Sequence, residues 1–147
     1  MMYKKCTFFG HRDAPDTLRP LLREVLAELI EKQNVTRFYL GQQGNFDAMA
    51  LGVLAELRQT HDICYEVVLA YLPAKQAPLY ETIPTVLPEG IEKAPRRFAI
   101  DYRNRWMVAQ SDIVITYVTR AFGGAAKFKE AALKKRKTVI ELSGRNV

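Results

Sequence analysis

Apolar positions along the chain switch repeatedly between two spacings. Lys4 to Phe9 is a short β-rich run stopped at Gly10, after which Leu18, Leu21, Leu22, Val25, Leu26, Leu29 and Ile30 recur at helical intervals. Arg37 to Leu40 repeats the short run and stops at Gly41. Phe46, Met49, Ala50, Val53, Leu54 and Leu57 then stripe one face of a second helix. Glu66 to Leu72 predicts a third strand. A helix over Asp101 to Gln110, a strand over Ile113 to Val118, a helix from about Gly124 to Lys135 and a strand over Thr138 to Leu142 complete the pattern. Between the two halves, Pro73 to Pro95 holds five of the seven prolines, which argues against a regular element and for a long loop or lid.

Strands alternating with helices of this length require crossover connections, hence a mostly parallel sheet covered on both faces. The expected fold is α/β, a Rossmann-like three-layer sandwich with about five strands. The 147 residues suit a single domain, with no repeat or second core. In such a sheet every loop that follows a strand leaves at the same edge, so Gly10-His11-Arg12, Gly41-Gln42-Gln43-Gly44 and Gly123-Gly124 are expected to line one cleft. A glycine turn opening a helix offers backbone N–H groups to a phosphate.

Charge and cysteine usage narrow the picture only a little. The net charge of +6 admits an anionic partner, but its densest cluster, Lys134-Lys135-Arg136-Lys137, closes a helix and is explained by the helix dipole more readily than by a nucleic-acid patch. Cys6 falls in a predicted strand and Cys64 at the entry to another, and they read as two buried thiols rather than a disulfide or metal site. No metal site and no cofactor are expected. The Met1-Met2-Tyr3-Lys4-Lys5 start has no apolar signal region, and no run approaches a membrane span, so a cytoplasmic location without a membrane partner is expected.

Several polar residues carry the candidate chemistry. The His11-Arg12 pair is placed to meet a phosphate, although a histidine in a turn can also bond locally. Asp47, near the start of the second helix, can offset the helix dipole or hold a ribose hydroxyl. Arg103 and Arg105 share one helix, where one can face a ligand and the other solvent. Thr119 follows the predicted fourth strand, and Glu130 sits about two turns into the helix that Gly123-Gly124 opens, at spacings from Lys127 and Lys134 that suit ion pairs.

Thr7-Phe8-Phe9-Gly10-His11-Arg12 and Gly41-x-x-Gly44-x-x-Asp47-x-x-Ala50 resemble the YpsA-like branch of the SLOG superfamily, Rossmann-like nucleotide-binding proteins that include DprA and the phosphoribohydrolases. The resemblance spans nearly the whole chain. The phosphoribohydrolase pattern places an arginine eight residues before Ser-Asp, then Pro-Gly-Gly-x-Gly-Thr-x-x-Glu, with the arginine and glutamate as the functional pair. Arg103 and Glu130 match by spacing to Ser111-Asp112 and Gly123, whereas Phe122, Ala126 and Lys127 replace the proline, the third glycine and the threonine. These departures weigh against hydrolysis more than against binding.

The resemblance and the loops together imply a binding module for a nucleotide or nucleotide-derived ligand, ADP-ribose-like or a nucleoside phosphate, serving as a sensor or regulator. Ligand contacts are expected from Gly10, His11, Arg12, Gly41, Gln42, Gly44, Asp47, Arg105, Thr119, Gly123 and Gly124. The first alternative is a nucleoside 5'-monophosphate phosphoribohydrolase with Arg103 and Glu130 as catalytic residues. The second is single-stranded DNA binding in the manner of DprA. The proline-rich segment could close over a ligand or mediate a homodimer.

Overall fold

The computed structural model describes residues 3–42, 44–71 and 83–145. Strands β1 (Lys4–Gly10), β2 (Val35–Leu40), β3 (Cys64–Val68), β4 (Thr85–Val86), β5 (Ile113–Tyr117) and β6 (Thr138–Glu141) form one sheet in the order β4-β3-β2-β1-β5-β6. All five pairings are parallel. The helices are α1 (Arg19–Lys32), α2 (Asn45–Arg58), α3 (Ala99–Gln110) and α4 (Gly124–Lys134), with short 3-10 turns at Asp16–Leu18, Ile91–Lys93 and Arg96–Phe98.

The expected Rossmann-like α/β sandwich is thus the observed one, with six strands in place of about five. The additional strand, β4, lies inside the proline-rich segment. Its neighbours Pro84 and Pro88 hid it, yet they are compatible with a two-residue edge strand, because proline lacks only the donor. The Val67 N–H donates to the Pro84 carbonyl at 2.9 Å and the Leu69 N–H to the Val86 carbonyl at 2.8 Å. The Ile91–Lys93 turn lies in the same stretch, so 83–95 is not featureless; residues 73–82 of the expected lid, Leu72 of the expected third strand, and Gln43 lie outside the described residues. The third strand ends at Val68, short of the expected Leu72.

Side chains alternate across the sheet as the pleat demands. Cys6 and Phe8 enter a core with Leu22, Leu26, Phe46 and Leu54 of α1 and α2, while Phe9 enters a second core with Met107 of α3 and Phe128 of α4. Phe9 and Phe128 stack with ring centroids 5.3 Å apart. Buried Thr7, between Cys6 and Phe8 in sequence, donates its hydroxyl to the Tyr39 carbonyl at 2.9 Å, so the centre of the sheet holds no orphaned hydroxyl there.

The carboxyl end of β1 is packed tightly against α2. A Cβ on Gly10 would sit 2.2 Å from Cγ of the fully buried Phe46. Gly10→Ala must therefore displace a core ring, and we expect it to destabilise the protein by about 2–3 kcal/mol at unchanged m-value in urea unfolding. A loss below ~0.5 kcal/mol would show that Phe46 repacks freely.

Candidate functional site

The strand order fixes where a cleft can form. The chain runs from β1 outward through β2, β3 and β4 and then returns to β5 on the other side of β1, so the loops after β1 and β5 diverge and leave a crevice at the carboxyl edge. A cleft of about 400 Å³ occupies that crevice. Its walls are Gly10 to Asp13 after β1, Arg120 and Phe122 to Ala125 after β5, Asp47 of α2, and Ile100, Arg103, Asn104 and Met107 of α3, over a floor of Phe8 and Phe9.

The α4 end of the cleft offers donors. Gly123, at φ +97°, turns the chain into α4, and a Cβ on Gly123 or Gly124 would meet nothing within 4 Å. No side chain caps this end of the helix. The first turn of any helix leaves N–H groups without intrahelical partners, and here that turn lines the cleft together with Arg12 and Arg120.

The loop after β5 is held from both sides. The Val118 N–H donates to Glu141 Oε2 at 2.9 Å, and the next two, of Thr119 and Arg120, donate to His11 Nε2 at 2.9 and 3.3 Å. Accepting through Nε2 makes the His11 ring neutral, with its proton on Nδ1. Burial, at 5% exposure, lowers its pKa, and Arg120 adds to this against the pull of Asp13 and Glu141. His11 thus takes the local role of a loop-holding acceptor, and its Nε2 is not a donor for phosphate. Arg120 in turn forms a two-point pair with Asp13 at 2.9 and 3.0 Å, joining the two loops across the mouth of the crevice.

Glu141 is the strongest electrostatic anchor of this loop. Burial alone would raise its pKa, but hydrogen bonds from Lys129 (2.8 Å), Thr116 (2.6 Å) and the Val118 and Ser143 N–H groups (2.9 and 3.0 Å) overcome that and hold it at about 2. Sequence reasoning missed it, and also missed Asp13, Arg120 and Asn104. A carboxylate following Val139-Ile140 at a strand end was the available signal for Glu141.

Of the two arginines on α3, Arg103 turns inward and Arg105 outward. Arg103, 1% exposed, donates from Nη1 to the Val68 carbonyl at 3.1 Å and from Nε to Asn104 Oδ1 at 2.8 Å. A Cβ on Gly41 would lie 3.0 Å from Asp47 Oδ2 and 3.4 Å from the Arg103 guanidinium carbon, so glycine there lets the two charges approach the strand end. Burial lowers the Arg103 pKa, opposed by Asp47 and then Tyr71. Arg105 pairs with Asp101 at 2.6 Å, and Asp101 also pairs with Lys127, so Arg105 stands outside the cleft.

The second glycine loop supports the cleft from behind. Gly41, Gln42 and Gly44 are not among its walls. Gly44, at φ +93°, has the Arg12 Cα 2.5 Å from where its Cβ would be, and the Asn45 N–H donates to the Arg12 carbonyl at 2.9 Å. The loop's glycine thus serves a close approach of backbone to backbone. Thr119 likewise contributes its N–H to His11 and does not line the cleft.

Glu130 is exposed and lines a second concavity of about 750 Å³ on the far side of the Val118–Gly123 loop, so Arg103 and Glu130 do not share a wall. Its expected partner Lys127 pairs with Asp101 instead. Ser111-Asp112 precedes β5, at the amino edge, where Asp112 accepts the Lys5 N–H at 2.9 Å. The Lys134–Lys137 cluster, from the last residue of α4 to the start of β6, is also at that edge, away from the cleft. Cys6 and Cys64 are free thiols with β2 between their strands; Cys6 is buried, and its pKa pushed up by burial, whereas Cys64 is only half-buried. Among the described residues no helix is long and apolar enough to cross a membrane.

Comparison with known proteins found no matching family model and no matching curated protein. Among solved structures, the X-ray structure of DNA processing protein A (DprA) from Streptococcus pneumoniae superposes with a TM-score of 0.71 over 95% of this chain at 16% sequence identity. The chain has the fold found in DprA. It spans about half of that chain, 50%. At this identity the likeness concerns the path of the backbone, and the site must be argued from its own residues.

Proposed function

We propose that the protein binds a nucleotide or nucleotide-derived phosphate ligand in the cleft between β1 and β5, as a sensor or regulatory module of the SLOG type. The observation that carries this reading is the uncapped, open start of α4 facing Arg12 and Arg120 at the switch point of the sheet. The N–H groups of Gly124 and Ala125 and the Arg12 guanidinium hold the phosphate, and Asp47, beside Arg103, accepts from a ribose hydroxyl. Titration with AMP, ADP and ADP-ribose tests it. At least one is expected to bind saturably and raise the melting temperature, and Arg12→Glu to weaken that binding at least tenfold. If none binds, the reading fails.

A second reading, single-stranded DNA binding, draws on Phe122, 72% exposed at the rim of the cleft beside Arg120, and on the fold shared with a DNA processing protein. It requires affinity for an oligonucleotide that falls steeply with salt. The phosphoribohydrolase alternative is the weaker one, because its two candidate residues line different concavities.

A further inference from the structure

His11 stands on a firm part of the fold, and the loop it holds stands on a loose one. The His11 N–H donates to the Tyr117 carbonyl at 3.2 Å, and the His11 carbonyl accepts from the Ala14 N–H at 3.1 Å. Gly10, just before it, is pressed against Phe46, and the imidazole meets the Tyr117 ring edge-on with centroids 6.3 Å apart. Across the crevice, residues 119–124 are all exposed, and none of them belongs to either hydrophobic core. This loop turns into α4 at Gly123, at φ +97°, with open space where a Cβ would be.

Among the described residues, two side chains fasten the loop. His11 Nε2 accepts the Thr119 and Arg120 N–H groups, and Asp13 pairs with the Arg120 guanidinium. The Asp13–Arg120 pair is exposed on both partners, and such pairs contribute little by themselves. The bonds to His11 are made by a buried ring, so they decide whether the loop stays fastened.

A ring nitrogen that accepts carries no proton. Placing one on Nε2 turns the acceptor into a donor aimed at two other donors, and both bonds are lost together. The charged and titratable groups around the ring are Arg12 and Asp13 of its own turn, Tyr117 and Arg120 of β5 and its loop, Asp47 of α2 across the cleft, and Glu141 at the end of β6, which Lys129 of α4 already pairs with. Asp13 attracts the imidazolium, which then competes with Arg120 for the same carboxylate. One proton therefore removes the buried bonds and weakens the exposed pair.

We infer that His11 is a proton-operated catch: while neutral it fastens the loop from Thr119 to Phe122 to the end of β1, and on protonation it releases that loop. Phe122 and Gly123 are walls of the cleft, so the same proton reshapes the cleft. The catch belongs to the unliganded chain and does not depend on what the cleft binds.

Backbone ¹⁵N relaxation of the whole chain, recorded as the pH is lowered, tests the catch. Burial and Arg120 place the His11 titration below the ordinary 6.5, while Asp13 and Glu141, both depressed, stay ionised above pH 3.8, so this window isolates the imidazole from the two carboxylates that face it. The other histidine, His61, lies before β3 at the amino edge, on Glu31. As the His11 ring signals titrate within the window, the order parameters of Ala121 and Phe122 are expected to fall from about 0.85 to below about 0.6. In His11→Gln, whose amide oxygen accepts but takes up no proton, they are expected to stay high throughout. Order parameters that stay high while the ring takes up its proton, a fall that persists in His11→Gln, or a ring still neutral at pH 3.8 would overturn the catch. The wild-type titration decides by itself if the variant fails to fold.

Discussion

Arg103→Ala is expected to lower the stability of the unliganded protein by about 3 kcal/mol, and with it the melting temperature by roughly 6–12 °C for a chain of this size. The side chain is the largest among the fully buried ones, and it is charged. Removing it leaves the Val68 carbonyl without the guanidinium donor, takes the neighbouring positive charge from Asp47 and opens a void beside Gly41. The full range for breaking a buried pair is about 3–5 kcal/mol, and the half-buried Asp47 places this case at its lower end. Arg105→Ala, two residues on and on the exposed side, supplies the contrast: its pair with Asp101 is a surface one, and a change of at most ~0.5 kcal/mol is expected. Differential scanning calorimetry of the two variants decides the point. Equal effects would mean that the inward placement of Arg103 contributes nothing to the fold.

The second large effect concerns Glu141 and acid. Its carboxyl titrates at about 2 in the folded protein against an ordinary 4.5. A depressed carboxylate contributes stability that is fully present above pH 4.5 and is lost as the pH falls toward 2, because the unfolded chain binds the proton first. The shift corresponds to a contribution on the order of 3 kcal/mol, an upper figure for a side chain still 21% exposed. Glu141→Gln keeps the shape but releases Lys129 and offers a weaker acceptor to Val118 and Ser143. The variant is expected to be about 2–3 kcal/mol less stable than the wild type at pH 7 and nearly equal to it at pH 2. Melting curves at half-unit steps between those limits check this. A difference that stays constant with pH would remove the ionised carboxylate from the account.

The fold was legible because its hydrophobic periods are clean. Four helices and five strands follow directly from spacings such as Phe46-Met49-Ala50-Val53, and their alternation dictates a parallel sheet. β4 was not legible. Two residues are too few to show a period, and Pro84 and Pro88 carry the composition of a loop, although an edge strand needs only their carbonyls or none.

The site was legible at the level of loops and less so at the level of side chains. The carboxyl-edge rule brought His11, Arg12, Gly123 and Gly124 to one crevice with Asp47 and Arg103. It could not say which way a side chain turns. Arg103 and Arg105 are two positions apart on a helix, so about 200° of rotation separates them, and sequence alone does not mark the inward one. Nor could it show that His11 accepts rather than donates, since that depends on Thr119 and Arg120, which lie more than a hundred residues away. The spacing of Arg103 and Glu130 suggested one catalytic pair, but spacing does not report that the Val118–Gly123 loop stands between their two concavities.

The central claim is that phosphate is held at the start of α4. Amide chemical shifts of ¹⁵N-labelled protein titrated with ADP test it most directly. The account predicts that the largest saturable shifts fall on Gly123, Gly124 and Ala125, with smaller ones at Arg12 and Arg120. Saturable shifts confined to the amino edge, at Lys5, Asp112 and Lys134 to Lys137, would contradict it.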